Sequence, residues 1–80
     1  MPTTEEIAQG LGVSPQTVRN WQKNGLLPEP VKAHRGRRGT GFRWPEGTEL
    51  QAAWVAAKLE AGLTVAEIRD ALARGEFKLP

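Results

Sequence analysis

The stretch that decides the fold is Leu11–Pro30, LGVSPQTVRNWQKNGLLPEP. Gly12 suits the left-handed turn that stops a helix. Ser14-Pro15 then starts a new one, because serine is a strong N-cap and proline is tolerated at the first helical position, where no N–H is required. Val18 and Trp21 fall on one face of the short helix that follows, and Asn24-Gly25 ends it. After Pro15 the other side chains of that helix are polar: Gln16, Thr17, Arg19, Asn20, Gln22 and Lys23, with no acid among them. With Val18 and Trp21 turned inward, Gln16, Arg19, Asn20 and Lys23 point outward.

Upstream, Thr3-x-x-Glu6 is a capping-box pattern that opens a helix. Ile7, Ala8 and Leu11 recur at helical spacing. Ala8 lets two helices approach closely, Gly12 makes the turn, and Val18 plugs the angle between the helices. Ile7, Leu11 and Trp21 complete the seam. Residues 3–24 therefore read as a helix-turn-helix.

Downstream, LLPEPVKAHRGRRGTGFRW is broken by prolines and glycines and is not helical. Val31–His34 and Gly41–Trp44 read as two short strands with Arg35–Thr40 as a flexible tip, a β-hairpin wing over 31–44. Pro45 leads into a third helix over about 46–61, with Leu50, Ala53, Trp54 and Ala57 as its apolar stripe, Val55 and Leu59 widening it, and Gly62 as its stop. Thr64-x-x-Glu67 is a second capping box. It opens a fourth helix over 64–74 that buries Val65, Ile68, Ala71 and Leu72 and ends at Gly75. The tail 76–80 either docks Phe77 and Leu79 or frays. Trp21, Trp44 and Trp54 read as core, and Phe42 as packing under the wing. The expectation is one domain over 1–80, mainly α, a winged helix-turn-helix of four helices and a two-stranded β-hairpin.

Composition narrows the function. Eighty residues leave little room for a large catalytic cleft. The chain has no cysteine, so thiolate metal sites and disulfides are excluded. Its one histidine, His34, has no carboxylate near it in sequence but Glu29. No paired carboxylates, nucleophile–base pair or phosphate loop is visible, so neither an enzyme nor a metal site nor a cofactor is expected. No apolar run is long enough to span a bilayer, and MPTTEE lacks the basic-then-apolar order of a signal peptide. A cytoplasmic, nucleoid-associated setting is expected.

The net charge of +2 is unevenly spread. Residues 1–30 carry Arg19 and Lys23 against Glu5, Glu6 and Glu29. Residues 31–43 carry Lys32, Arg35, Arg37, Arg38 and Arg43 with no acid, and beyond them acids outnumber bases. The positive field thus sits in the wing, and a polyanion is the partner class it fits. On the polar helix, arginine suits the acceptor pair of guanine, and asparagine or glutamine the donor–acceptor pair of adenine. Ser14, Thr17 and the helix N-terminal amides suit phosphate oxygens. In the wing, glycine lets the backbone follow a groove. Arg35, Arg37, Arg38, Arg43 and Lys32 supply phosphate contacts or insertion into a narrow minor groove. His34 is either solvent-exposed or a neighbour of a phosphate.

EEIAQGLGVSPQTVRNWQKNGLLPEP, GFRWPEGTEL and LEAGLTVAEIRDALARG together resemble the DNA-binding domain of the MerR family of bacterial regulators. The resemblance covers residues 3–75. It implies a four-helix winged domain whose second helix reads the major groove of double-stranded DNA and whose wing touches phosphates and the minor groove. Arg19 and Arg43 match family positions that commonly meet DNA. Asn20 stands where that family usually has an aromatic residue. TVRNWQKNG is also similar to the DNA-binding domains of phage small terminase subunits and excisionases. The wing tip is longer and richer in arginine than usual. MerR regulators continue into a long dimerising helix and an effector domain, so with a chain ending at Pro80 neither effector sensing nor a metal site carries over, and a stand-alone protein and an excised domain both fit.

The leading expectation is a sequence-specific double-stranded DNA binder of the transcription-regulator type. A phage DNA-packaging or excisionase-type protein is the alternative within DNA binding, and a protein-interaction adaptor the alternative outside it. One such domain covers a half-site, so self-association on DNA is expected, as a dimer or a head-to-tail array.

Overall fold

The computed structural model describes residues 1–34 and 40–79, with the backbone alone at 33, 34, 40 and 41. Its elements run α1 (Thr4–Leu11), α2 (Pro15–Lys23), β1 (Val31–His34), β2 (Thr40–Arg43), α3 (Thr48–Glu60) and α4 (Val65–Ala73).

The starts of α1 and α4 follow from their first residues. Thr3 and Thr64 each accept a bond from the backbone N–H of the glutamate three positions on, and Glu6 and Glu67 each accept one from the threonine N–H in return. Each exchange satisfies two backbone donors that the first helical turn would otherwise leave unpaired. Gly12 ends α1 at φ 71°, where a side chain would be strained. Ser14 caps α2, with Pro15 as its first residue.

The core is small and continuous. Ile7 and Ala8 of α1, Val18 and Trp21 of α2, Leu26, Leu27, Trp44, Ala52 and Val55 of α3, and Ile68 of α4 form one buried cluster. α1 packs against both α2 and α3, and α4 packs on α3. β1 and β2 pair antiparallel, with Val31 opposite Arg43 and Lys32 opposite Phe42. No helix among the described residues is long and apolar enough to cross a membrane.

Three expectations need correction. The buried face of α3 is Thr48, Ala52 and Val55, whereas Leu50, Ala53 and Ala57 are exposed and Trp54 is half-buried. Apolar side chains occur all round this helix, so the period alone did not fix which side faces the core. Strand β2 starts at Thr40 and ends at Arg43, one position before the expected span, because Trp44 leaves the ladder to enter the core. Phe42 does not pack beneath the wing; it is 37% exposed. Its position opposite Lys32 is the reason, since strand alternation gives the two the same face, and Lys32 is exposed too. The tail docks in part: the Phe77 and Trp54 rings lie 5.6 Å apart, while Leu79 stays half exposed beside Gly47.

Candidate nucleic-acid interface

The orientation of α2 is set from beneath. Val18 is completely buried and Trp21 nearly so, and Ala8 supplies the small surface on which they close. The turn is pinned by the Val13 N–H, which donates to the Ala8 carbonyl at 3.0 Å. The far end of α2 is held by two long-range bonds. Gln51 of α3 donates to the Leu26 carbonyl at 2.8 Å, and Arg69 of α4 donates to the Asn24 carbonyl at 3.2 Å. Both ends of the helix are thus tied to the body of the fold.

On the outer face, Ser14, Gln16, Asn20 and Lys23 are exposed, and Thr17 and Arg19 are half-buried. The Ser14 hydroxyl accepts from the Thr17 N–H at 3.2 Å and shares a hydrogen bond with the Thr17 hydroxyl at 3.0 Å. Three side chains form a chain along the helix. Arg19 Nη2 donates to Gln16 Oε1 at 3.2 Å, and Gln16 Nε2 donates to Asn20 Oδ1 at 3.0 Å. The helix is about 13 Å long, a length that lies within a B-DNA major groove.

The base of the wing is anchored by contacts that the sequence did not announce. Thr3 pairs with Arg43 in an isolated antiparallel bridge, and the Trp44 N–H donates to the Pro2 carbonyl at 2.8 Å. The N-terminal segment therefore adds itself to β2. The Trp44 indole, 1% exposed, donates from Nε1 to the hydroxyl of Thr4, 3% exposed, at 2.9 Å. Trp44 thereby locks the wing to the first turn of α1, and α1 in turn seats α2.

Lys32 and Arg43 are both exposed on this wing. Arg43 also lies within the field of Glu6. The Glu6 carboxyl is held below its ordinary 4.5, first by the backbone N–H of Thr3, then against a burial effect by the Thr3 hydroxyl and the Arg43 charge. Arg35, Arg37 and Arg38 lie outside the described residues, as does the side chain of His34.

Thr4, Gln51 and Arg69 are the positioning residues that sequence reasoning missed. Thr4 looked like one more residue of a helix start, and nothing local links it to a tryptophan 40 positions away. A shallow pocket of about 440 Å³ lies between the α1–α2 turn and α3, lined by Leu11, Val13, Trp21, Ala56, Leu59 and Glu60. Its walls are mainly apolar, and Glu60 is the one titratable group among them. No group of three or more metal-ligating side chains occurs among the described residues.

Comparison with known proteins agrees with this geometry. A family model described as MerR family regulatory protein matches residues 3–39. That match holds the helix-turn-helix and the first wing strand. The fold is similar to that of HiNmlR, a MerR family regulator lacking the sensor domain, in its crystal structure bound to promoter DNA. The TM-score is 0.61 at 24% identity, over 85% of this chain and 51% of that one. The chain therefore spans about half the length of that relative. None of the curated protein sequences matches significantly.

Proposed function

We propose that the chain is a MerR-type winged helix-turn-helix domain that binds double-stranded DNA sequence-specifically, as a transcription regulator or its DNA-binding part, a reading supported by the family match over residues 3–39 and the likeness of fold to HiNmlR. The observation that carries this reading is the outer face of α2. It is polar, free of acids and fixed in orientation by the burial of Val18 and Trp21. A surface helix that needs only solubility usually pairs acids with bases along its length. Here the polar side chains are those that hydrogen-bond to base edges and phosphates.

In this arrangement α2 enters the major groove with its N-terminal half. Arg19, Asn20 and Gln16 face base edges, while Ser14, Thr17 and Lys23 meet the backbone. Lys32 and Arg43 on the wing, with Arg35, Arg37, Arg38 and His34 at and beside its tip, lie along the neighbouring phosphates or the minor groove. The promoter-bound state of HiNmlR supports DNA as the partner. The role is binding, without catalysis and without a cofactor, in the cytoplasm where DNA is accessible. Two copies on adjacent half-sites give useful affinity, since one domain of this size covers a single half-site.

Selection of bound duplexes from a random library tests this reading. Arg19→Ala should change the selected sequence, because a base contact specifies. Arg37→Ala with Arg38→Ala should weaken all duplexes alike and leave the selected sequence unchanged, because phosphate contacts position without specifying. The same motif from the Arg19→Ala protein, at the same affinity, would refute the assignment of α2 as the reading helix.

A further inference from the structure

The hydrogen-bond chain Arg19–Gln16–Asn20 has a direction. A guanidinium only donates, so the glutamine atom that faces Arg19 must be the carbonyl oxygen Oε1. The amide nitrogen Nε2 of Gln16 is then turned toward Asn20, 3.0 Å away, and the asparagine atom it meets must be the acceptor Oδ1. One donor-only side chain therefore sets the orientation of both amides. The carbonyl oxygens of Gln16 and Asn20 each spend one of their two acceptor positions within the helix. Beside the second lone pair of each oxygen, what remains to face a partner is the asparagine Nδ2, the other Gln16 Nε2 hydrogen and the remaining Arg19 N–H groups. Lys23, also exposed on this helix, adds a further donor.

This matters for which base the helix can read. An asparagine grips adenine by donating to N7 and accepting from N6, which needs both its amide atoms. With its bond to Gln16 kept, Asn20 can grip adenine only through the second lone pair of Oδ1, whose direction that bond fixes. Guanine offers N7 and O6, two acceptors, and no donor on the same edge. A guanine can therefore be read with the whole chain intact. Resting on the reading of α2 as a DNA-contacting helix, we propose that Gln16 is a positioning residue that holds the two amide oxygens along the helix and leaves the Asn20 amide nitrogen to face the groove, so that α2 prefers guanine to adenine.

The experiment is a selection from random duplexes with the full chain, repeated with Gln16→Leu and Gln16→Glu. The wild-type motif should hold guanine at the α2 positions. Replacing one of these guanines by 7-deazaguanine, which lacks the N7 acceptor, should weaken binding about tenfold or more. In Gln16→Leu the Asn20 oxygen is released, and adenine should rise to parity with guanine at the position that Asn20→Ala makes indifferent. Gln16→Glu still accepts from Arg19 but presents an oxygen to Asn20. The asparagine amide must then reverse and turn Oδ1 outward, so preference should pass to adenine or cytosine, which carry donors. A residue that only supported the helix would not reverse the preference. Equal thermal stability of the three proteins keeps the readout on recognition. An adenine in the wild-type motif, or an unchanged guanine preference in both variants, overturns this inference and leaves DNA binding standing. Absence of duplex binding by the wild-type chain removes both.

Discussion

Thr4→Val is the substitution with the most to say about how the wing is held. Valine matches threonine in shape, so the change removes the hydroxyl and little else. That hydroxyl is the acceptor for Trp44 Nε1 at 2.9 Å, and both residues are buried. The variant leaves an indole N–H with no acceptor in a site that water does not reach. An unsatisfied buried donor costs about 1–3 kcal/mol. In a domain of this size that corresponds to a fall of about 5–20 °C in melting temperature. Thermal unfolding followed by far-ultraviolet circular dichroism measures it. The companion change Trp44→Phe removes the donor, together with part of the indole volume. In the double variant no polar group is stranded, so its loss should be smaller than the sum of the single losses by about 1–2 kcal/mol. Strict additivity, or a Thr4→Val protein that melts like the wild type, would refute the claim that this bond pins the wing to α1.

Ala8→Leu adds bulk at the closest approach of α1 and α2, where Ala8 is 2% exposed. It should cost about 1–3 kcal/mol in chemical denaturation by overpacking, and duplex affinity should fall with the displaced α2. Gly12→Ala and Gly47→Ala both place a side chain at positive φ, 71° and 88°. Nothing lies near a Cβ at Gly12, so only backbone strain of about 1–2 kcal/mol is expected. At Gly47 a Cβ also meets the Leu79 side chain, but that exposed tail side chain can swing aside, so Gly47→Ala should cost about as much as Gly12→Ala. Glu67 is held below its ordinary 4.5 by the backbone N–H and then the hydroxyl of Thr64. A lowered carboxyl pKa means that its stabilisation is complete above pH 4.5 and is lost as the pH falls through the folded-state value. Glu67→Gln should therefore flatten part of the acid limb of a melting-temperature profile; identical acid limbs would contradict the capping role.

What was legible in the sequence were the local signals. Thr3 and Glu6, Thr64 and Glu67, and Ser14-Pro15 mark helix starts because a cap is made within one turn of chain. Ala8, Gly12 and Val18 announced the helix-turn-helix because close packing at a sharp turn admits few side chains. The face of α3 was not legible. Its alanines lie on all sides, and Gln51, a polar residue, turns inward to the Leu26 carbonyl and so defeats the rule that polar means outward. The N-terminal pairing was not legible either, because Pro2 and Thr3 meet Trp44 and Arg43 across the whole helix-turn-helix that separates them in sequence. For the candidate site, the outward set on α2 could be read from Val18 and Trp21 alone. The bonds that link Arg19, Gln16 and Asn20 depend on side-chain conformations that no spacing rule supplies.

The measurement that bears most directly on the central claim is the dissociation constant of the intact chain for duplex DNA as a function of salt. Four to six phosphate contacts from α2 and the wing predict a log–log slope of about −3.6 to −5.4, a loss of roughly 150- to 1,800-fold between about 50 and about 200 mM. If α2 reads a double-helical groove, as proposed, a competing single strand of the same sequence should displace the duplex poorly. No duplex binding at the lowest salt, or binding that ignores salt, would contradict the account.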